Sequence, residues 1–394
     1  MTEAVSRPTL EAVAARAGVS RATVSRVVNG GDGVRAPLAE RVRQAVAELG
    51  YVPNQAARSL VTKRHDAVAV VIAEPETRVF TDPFFALQLR GISKELTAHD
   101  NQLVLLLTEG RDDHTRVARY LSGGHVDGAL VFSLHLDDPL PGLIRDAGVP
   151  TVFGGRPGWG DDGHGAGDAR RTAEDPGVVY VDCDNRGGAR AAVRHLVGLG
   201  RRRIAHLTGP LDQTSAVDRL DGYRDVMGEA PGASDPRLVV ESDFTPAGGE
   251  RAMRVLLDRC PDVDGVFAAN DLTALGALRV LRARGRRVPE DVAVIGFDDM
   301  LPVAEEADPS LTTVRQDIEE MGRLMARLLL RGLSGGRDRP DARDRTDGHD
   351  RTDGHDRQEA RGATHGRGRT GPALDGPHAG GVILPTTLIR RASA

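Results

Sequence analysis

Two sets of residues in this sequence have the types and spacing to do chemistry. The first is Arg21-Ala22-Thr23-Val24-Ser25-Arg26, where Val24, Val27 and Val28 share one helical face while Arg21, Ala22, Ser25 and Arg26 look largely away from it. On a helix laid in a DNA major groove, arginine forks onto guanine and a small side chain such as Ala22 meets a thymine methyl. The second set is Arg219, Phe244, Asn270 and Asp298, each just past a segment that reads as a strand. Asp and Asn hold hydroxyl pairs, a guanidinium clamps two oxygens, and a phenyl ring covers the apolar face of a sugar or base. The same four also have ordinary uses: Asp298 as a turn acid, Asn270 as a helix cap, Phe244 in a core and Arg219 in an ion pair.

The first set needs short helices to position it. Thr9 precedes Leu10, Val13, Ala14 and Ala17 at helical spacing, Gly18 stops that helix, and Ser20 opens the next at Arg21. Two helices joined by Ala17-Gly18-Val19-Ser20 form a helix-turn-helix, and a third follows near Pro37–Leu49. Charge supports a polyanion partner: residues 1–64 carry ten Lys or Arg against five Asp or Glu, although the whole chain of 394 residues is net −5. After Pro53, residues Asn54–Leu60 allow only two helical turns, too few to be stable alone, so DNA or a second copy must order them. An apolar residue such as Leu60 on that segment suits a wedge in a minor-groove step.

The second set needs a larger scaffold. Strand-length apolar runs (Ala67–Ile72, Leu103–Leu107, Gly128–Phe132, Thr151–Phe153) alternate with helical segments (Pro83–His99, Thr115–Leu121, Pro139–Ala147). A second series runs from Val178–Val181 through Asn185–Leu199, Arg203–Thr208, Ala216–Val226, Leu238–Glu241, Ala247–Arg259, Gly265–Ala269 and Leu272–Ala283 to Val292–Phe297. Two series of βαβ units imply two lobes with parallel sheets, and ligands in such folds sit beyond the strand C-termini.

TLEAVAARAGVSRATVSRVVNG followed by YVPNQAARSL resembles the DNA-binding head and hinge of the lactose/galactose-repressor (LacI/GalR) family. The resemblance continues through Asp82-Pro83-Phe84-Phe85, Asp184-Asn185, Gly209-Pro210, Ala269-Asn270-Asp271, Gly296-Phe297-Asp298-Asp299 and Leu311-Thr312-Thr313. It implies a small all-α helix-turn-helix head with a hinge helix, joined to a two-lobed α/β core like a periplasmic binding protein. By that resemblance Arg21, Ala22 and Arg26 read base edges, while Thr23, Ser25 and Asn29 support the helix and touch phosphates. Asn54, Ala57, Arg58 and Leu60 then belong to a minor-groove hinge. Arg219, Phe244, Asn270 and Asp298 bind an effector, with Ser215, Phe84 and Phe85 as further contacts. One departure stands at Val34-Arg35-Ala36-Pro37, where the family's hydroxyl cap is missing. The implied partners are a palindromic operator, a second copy of the chain and a small effector, either a sugar or a nucleoside-like molecule, acting as inducer or corepressor.

The expected organisation is a head over 7–50, a hinge over 51–64, a first lobe over 66–199 and 311–333, and a second lobe over 200–310 and 381–391. Residues 334–380, with a tandem Arg-Thr-Asp-Gly-His-Asp, read as a solvated insertion rather than a metal site, and 154–177 as a loop. No leucine heptads follow Arg391, which favours a dimer over a tetramer. Two cysteines exclude a disulfide scaffold, and the N-terminus, interrupted by Glu3, Arg7, Pro8 and Glu11, does not read as a signal peptide. The longest apolar runs are too short for a bilayer span, so a cytoplasmic location is expected. A free solute-binding protein would leave the basic head unused. No GxGxxG after a strand, Walker loop or zinc spacing supports an enzyme, a cofactor or a metal.

Overall fold

Thr9 opens the first helix as its chemistry requires: the hydroxyl accepts from Ala12 N at 3.3 Å, and α1 (Leu10–Ala17) ends at Gly18, whose φ of 64° suits a residue without Cβ. Ser20 likewise accepts from Thr23 N at 3.2 Å to start α2 (Arg21–Val28). α3 (Ala36–Leu49) starts at Arg35 with no side-chain cap, as the missing hydroxyl foretold. Val13, Val24 and Val42, one from each helix, are fully buried and pack with Ala14, Ala17, Ala45 and Tyr51. Each such valine contributes about 1.5–3 kcal/mol relative to exposure. Arg41 Nη2 donates to Ala17 O at 2.8 Å and to Gly18 O at 3.3 Å, so α3 holds the turn between α1 and α2.

The computed structural model describes residues 8–29, 31, 33–52, 64–109, 111–136, 138–157, 178–228, 235–335 and 381–394. They fall into two compact units: this head, and a core that begins at Val68. The expected hinge residues Asn54, Ala57, Arg58 and Leu60, and all but the first two residues of the expected 334–380 insertion, lie outside the described residues.

The core opens with β1 (Ala67–Ile72), α4 (Glu76–Thr81), α5 (Pro83–Ala98), β2 (Gln102–Leu107) and α6 (Arg111–Ser122). β3 (Gly128–Phe132), α7 (Leu140–Asp146), β4 (Thr151–Gly154) and β5 (Val179–Cys183) follow. Then come α8 (Asn185–Gly198), β6 (Ile204–Thr208), α9 (Thr214–Met227), β7 (Val239–Glu241), α10 (Pro246–Arg259), β8 (Gly265–Ala268) and α11 (Asp271–Ala283). β9 (Ala293–Asp298), α12 (Val303–Glu306), β10 (Thr312–Arg315), α13 (Ile318–Gly335), β11 (Val382–Leu384) and β12 (Thr387–Ile389) complete it. One sheet has the order β11-β5-β4-β3-β1-β2 and the other β12-β10-β9-β8-β6-β7. The pairs β1–β3, β3–β4, β4–β5 and β5–β11 are parallel, and so are β6–β7, β6–β8, β8–β9 and β9–β10. β12 runs antiparallel to β10. Every residue of β1 and β3 is buried, the unbroken apolar signature of a sheet covered on both faces.

The sheets correct three lobe assignments. β10, expected in the first lobe, extends the second sheet beside β9 in the register Thr312↔Ile295. α8, also expected in the first lobe, packs against α9 and the second sheet, because the chain crosses between lobes before the helix rather than after it. The closing segment is two strands: β11 joins the first sheet and β12 the second, separated at Pro385-Thr386. α13 does return to the first lobe, lying along α5. Glycines permit that close approach, since a Cβ on Gly91 would sit 2.0 Å from Glu319 O and one on Gly322 2.3 Å from Gln88 O. Two short helices, α4 and α12, add to the expected elements, and Leu238 ends a 3₁₀ turn instead of starting a strand.

Candidate ligand cleft and nucleic-acid interface

Within the head, α2 turns Val24 inward and leaves Arg21, Ala22, Arg26 and Asn29 exposed. Thr23 and Ser25 are half-buried and tie the helix down: Thr23 Oγ1 shares a hydrogen bond with Ser20 Oγ at 2.9 Å, and Asn29 Nδ2 donates to Ser25 Oγ at 3.2 Å. Arg21 Nε lies 3.1 Å from Glu11 Oε1, with both side chains mostly in solvent. Such a pair is worth little and is easily exchanged for a phosphate or a base.

In the core, a cleft of about 910 Å³, including its open mouth, lies between the lobes. All seven residues expected at an effector site line it: Phe84, Phe85, Ser215, Arg219, Phe244, Asn270 and Asp298. α9 presents Arg219 and Ser215, α5 presents Phe84 and Phe85, and Asp298 closes β9. Arg219 is held on three sides: its Nε donates to Asn185 Oδ1 at 2.8 Å, its Nη1 donates to Ala269 O at 2.5 Å, and its Nη2 lies 3.7 Å from Asp298 Oδ1. Its guanidinium sits 3.7 Å from the Phe297 ring centroid and 6.0 Å from that of Phe244. Asp298 Oδ1 accepts from Gln316 Nε2 at 2.5 Å. Burial pushes the Asp298 carboxyl up to about 7 against the opposing pull of Arg219.

Asn270 also fills its ordinary role. Its Oδ1 accepts from Thr273 N at 2.8 Å to cap α11, and its Nδ2 donates to Phe244 O at 3.0 Å, so it fixes the loop that carries the phenyl ring. A Cβ on Gly209 would lie 2.1 Å from the Phe244 ring, so only glycine leaves that ring its place. Ser133, Phe244 and Asp298 all line the cleft with left-handed φ values of 62°, 62° and 108°. Backbone strain of this kind, about 1–3 kcal/mol per residue, gathers where a site needs groups aimed against local preference. Phe85 is floor rather than wall: it is fully buried and stacked on Phe132 at 6.1 Å, while the half-buried Phe84 meets it edge-on at 5.5 Å.

The structure adds residues that sequence reasoning missed. Arg78, Asp82, Gln88, His135, Arg156, Asp182, Asn185, Gln213 and Gln316 also line the cleft. Several join the lobes directly. Arg156 Nη2 donates to both Asp218 oxygens at 2.6 and 2.8 Å, Gln213 Nε2 donates to Glu74 Oε1 at 3.0 Å, and His135 Nδ1 lies 2.7 Å from Asp212 Oδ2. Asp182 is wholly buried and organises its surroundings, accepting from Arg156 N, Cys183 N and Asn185 Nδ2; burial raises its carboxyl above the usual range. Burial does the same to Asp82, whose Oδ1 accepts from Phe84 N at 3.0 Å. Gln88 could have been found from sequence: it is a lone amide in the inward stripe Phe85, Gln88, Ile92, Leu96 of α5.

Among the described residues no group of three or more His, Cys, Asp or Glu could hold a metal ion, and no helix is long and apolar enough to cross a membrane.

Comparison with known proteins agrees with both units. Residues 9–54 match the bacterial regulatory proteins of the lacI family, and residues 193–347 match the periplasmic binding protein-like domain. The HTH-type transcriptional regulator CelR of Thermobifida fusca is 51% identical over 334 residues, covering 85% of this chain and 94% of that protein. The ribose operon repressor of Halalkalibacterium halodurans is 32% identical over 324 residues, covering 82% of this chain and 89% of its own. Among solved structures, a CelR–cellobiose complex superposes with a TM-score of 0.68 at 44% identity, covering 98% of this chain and all of that one. The lac repressor dimer bound to operator and the anti-inducer ONPF gives a TM-score of 0.73 at 26% identity, covering 98% of this chain and 99% of that one. With its helix-turn-helix head and its two-lobed, periplasmic-binding-protein-like core, the chain belongs to the lacI family of bacterial regulatory proteins.

Proposed function

We propose that the protein is a repressor that binds a palindromic operator as a homodimer and releases or tightens its hold when a neutral sugar of disaccharide size, cellobiose for the test, enters the cleft. The observation that carries the choice of a neutral ligand is charge pairing. Each arginine lining the cleft faces a carboxylate of the protein: Arg78 lies 2.7 Å from Glu74, Arg156 2.6 Å from Asp218 and Arg219 3.7 Å from Asp298. Among the described residues none is left to neutralise an anion, whereas paired carboxylates and guanidiniums beside the Phe84 and Phe244 rings suit hydroxyls and the apolar face of a pyranose. The similarity to a regulator solved with cellobiose supports the same ligand class here.

In this reading Arg21, Ala22 and Arg26 touch base edges, Thr23, Ser25 and Asn29 position α2 on phosphates, and Asn54, Ala57, Arg58 and Leu60 enter the minor groove. Arg219, Asp298, Asn270, Ser215, Phe244, Phe84 and Phe85 hold the sugar. Calorimetric titration of the full chain with cellobiose, glucose, ribose, adenosine and glucose 6-phosphate tests it, alongside operator binding by fluorescence anisotropy on a fragment found by genomic footprinting. Cellobiose should bind and change operator affinity by about 5–150-fold. Binding of adenosine or the phosphorylated sugar alone would overturn the assignment of a neutral sugar.

A further inference from the structure

The floor of the cleft holds a polar group with an unmet need. Gln88 lines the cleft from α5, yet its side chain is 1% exposed and sits among Phe85, Phe132 and Met321. Among the described residues its Nε2 has only sulfur acceptors, Met325 Sδ at 3.3 Å and Met321 Sδ at 3.8 Å, and its Oε1 has no hydrogen-bond partner. Thioether sulfur is a weak acceptor, and a buried amide oxygen without a donor is destabilising. An apolar residue at this position would avoid that penalty and continue the stripe of α5.

The surroundings keep the amide where it is. A Cβ on Gly154, which also lines the cleft, would meet Gln88 Nε2 at 3.0 Å and Met325 Sδ at 2.9 Å. Gly154 has no left-handed φ, so the space it leaves, and not its backbone freedom, is what the amide uses. α13 presses on the same residue from behind, with Gly322 against Gln88 O. A polar group that is disfavoured locally, yet given room on the ligand side and backbone support on the other, has the attributes of a recognition group.

We infer that Gln88 is a specificity-determining residue for the effector: its amide pairs with one hydroxyl of the bound sugar at the first-lobe floor, opposite Asp298 and Arg219. Oε1 is sealed from solvent, so the hydroxyl meets it after a turn of the amide about its terminal bond, a soft rotation. A sugar carrying that hydroxyl gains a bond, while one lacking it leaves the amide as unsatisfied as before. That asymmetry is how a buried polar group discriminates. The inference rests on the sugar reading of the cleft.

The test uses the full chain, cellobiose and a set of monodeoxy cellobioses, with Gln88→Met and Gln88→Asn. Gln88→Met removes the amide at nearly constant volume, so its thermal midpoint should equal or exceed that of the wild type while cellobiose binds about tenfold more weakly. One deoxy sugar should be discriminated by the wild type and bound by Gln88→Met as well as cellobiose is. Gln88→Asn keeps the amide but withdraws it, and should weaken cellobiose similarly. A merely structural Gln88 would alter the midpoint and leave the ranking of deoxy sugars unchanged, and that result overturns the inference. So does a cellobiose complex with no sugar oxygen within about 3.5 Å of the amide, whether or not the variants fold. If the wild type binds none of these sugars, the proposed function fails first, a distinguishable outcome.

Discussion

The head and the cleft use the same pairing of arginine with a carboxylate to opposite ends. Arg21 and Glu11 are 70% and 62% exposed, whereas Arg219 and Asp298 are 6% and 5% exposed. In solvent the pair is screened and barely coupled, so Arg21 can leave it at small cost. In the cleft both charges have lost their water, each depends on the other, and the carboxyl titrates near neutrality. The surface pair keeps its donors within reach of solvent. The buried pair is a fixed set of donors and acceptors at the wall of the cleft.

That contrast can be broken most sharply at its buried end. Arg219→Ala leaves Asp298 buried without its cation, and the expected loss is about 3–5 kcal/mol of stability together with the effector response. Chemical unfolding measures the first and calorimetry the second. Adding Asp298→Asn should restore part of the stability, and a double variant no better than the single one would show that the two residues are not coupled. Arg21→Ala, by comparison, should change stability by less than about 0.5 kcal/mol.

At the exposed end the effect moves from folding to DNA. Arg26→Ala should leave the thermal midpoint in place, weaken operator binding by about 1–3 kcal/mol and relax preference at one base position. Equal weakening on every operator variant would reassign Arg26 to the phosphates.

The most gradual effect is a pH dependence peculiar to the buried region. Burial lowers His206 from 6.5 to about 4, so between those values the unfolded chain binds the extra proton and stability rises with pH. Asp298 does the reverse: raised from 3.8 to about 7, it holds a proton when folded that the unfolded chain has lost, and stability falls as pH rises through that window. The two oppose each other between about pH 4 and 6.5. Asp298→Asn leaves His206 alone, so its stability should climb with pH more steeply than the wild type's, by up to about 1.4 kcal/mol per pH unit. Urea midpoints at several pH values across that window check it, and parallel curves would exclude the Asp298 contribution.

Local chemistry explains which parts of the molecule could be read in advance. Thr9, Gly18 and Ser20 cap and stop helices through contacts within three or four residues, so their roles were legible, and so was the missing cap at Arg35. Phe244, Asn270 and Asp298 stand at or just past strands announced by an apolar run, but it is the resemblance to the lactose/galactose-repressor family that singles them and Arg219 out. The lobe to which α8, β10 and β11 belong was not legible, since it depends on partners far along the chain, such as Val181 for Val382. His135 and Arg156 reach the cleft from loops with no periodicity to betray them. Gln88 had a visible signal, a polar residue in an apolar stripe, whose meaning depended on Met321, Met325 and Gly154 arriving from elsewhere.

The chain passes between the two sheets after β5, after β10 and again between β11 and β12. Neither lobe is therefore one stretch of gene. A single recombination event that joins the front of one such regulator to the back of another cannot exchange a lobe; it delivers a mosaic in which at least one sheet mixes strands of both parents. Transplanting the second lobe intact needs three junctions, near residues 184, 316 and 385. The head, by contrast, ends at one boundary near residue 67 apart from the short Gly124–Asp127 segment, and can be traded with far fewer cuts. Exchange of the head by shuffling is therefore simpler than exchange of a lobe.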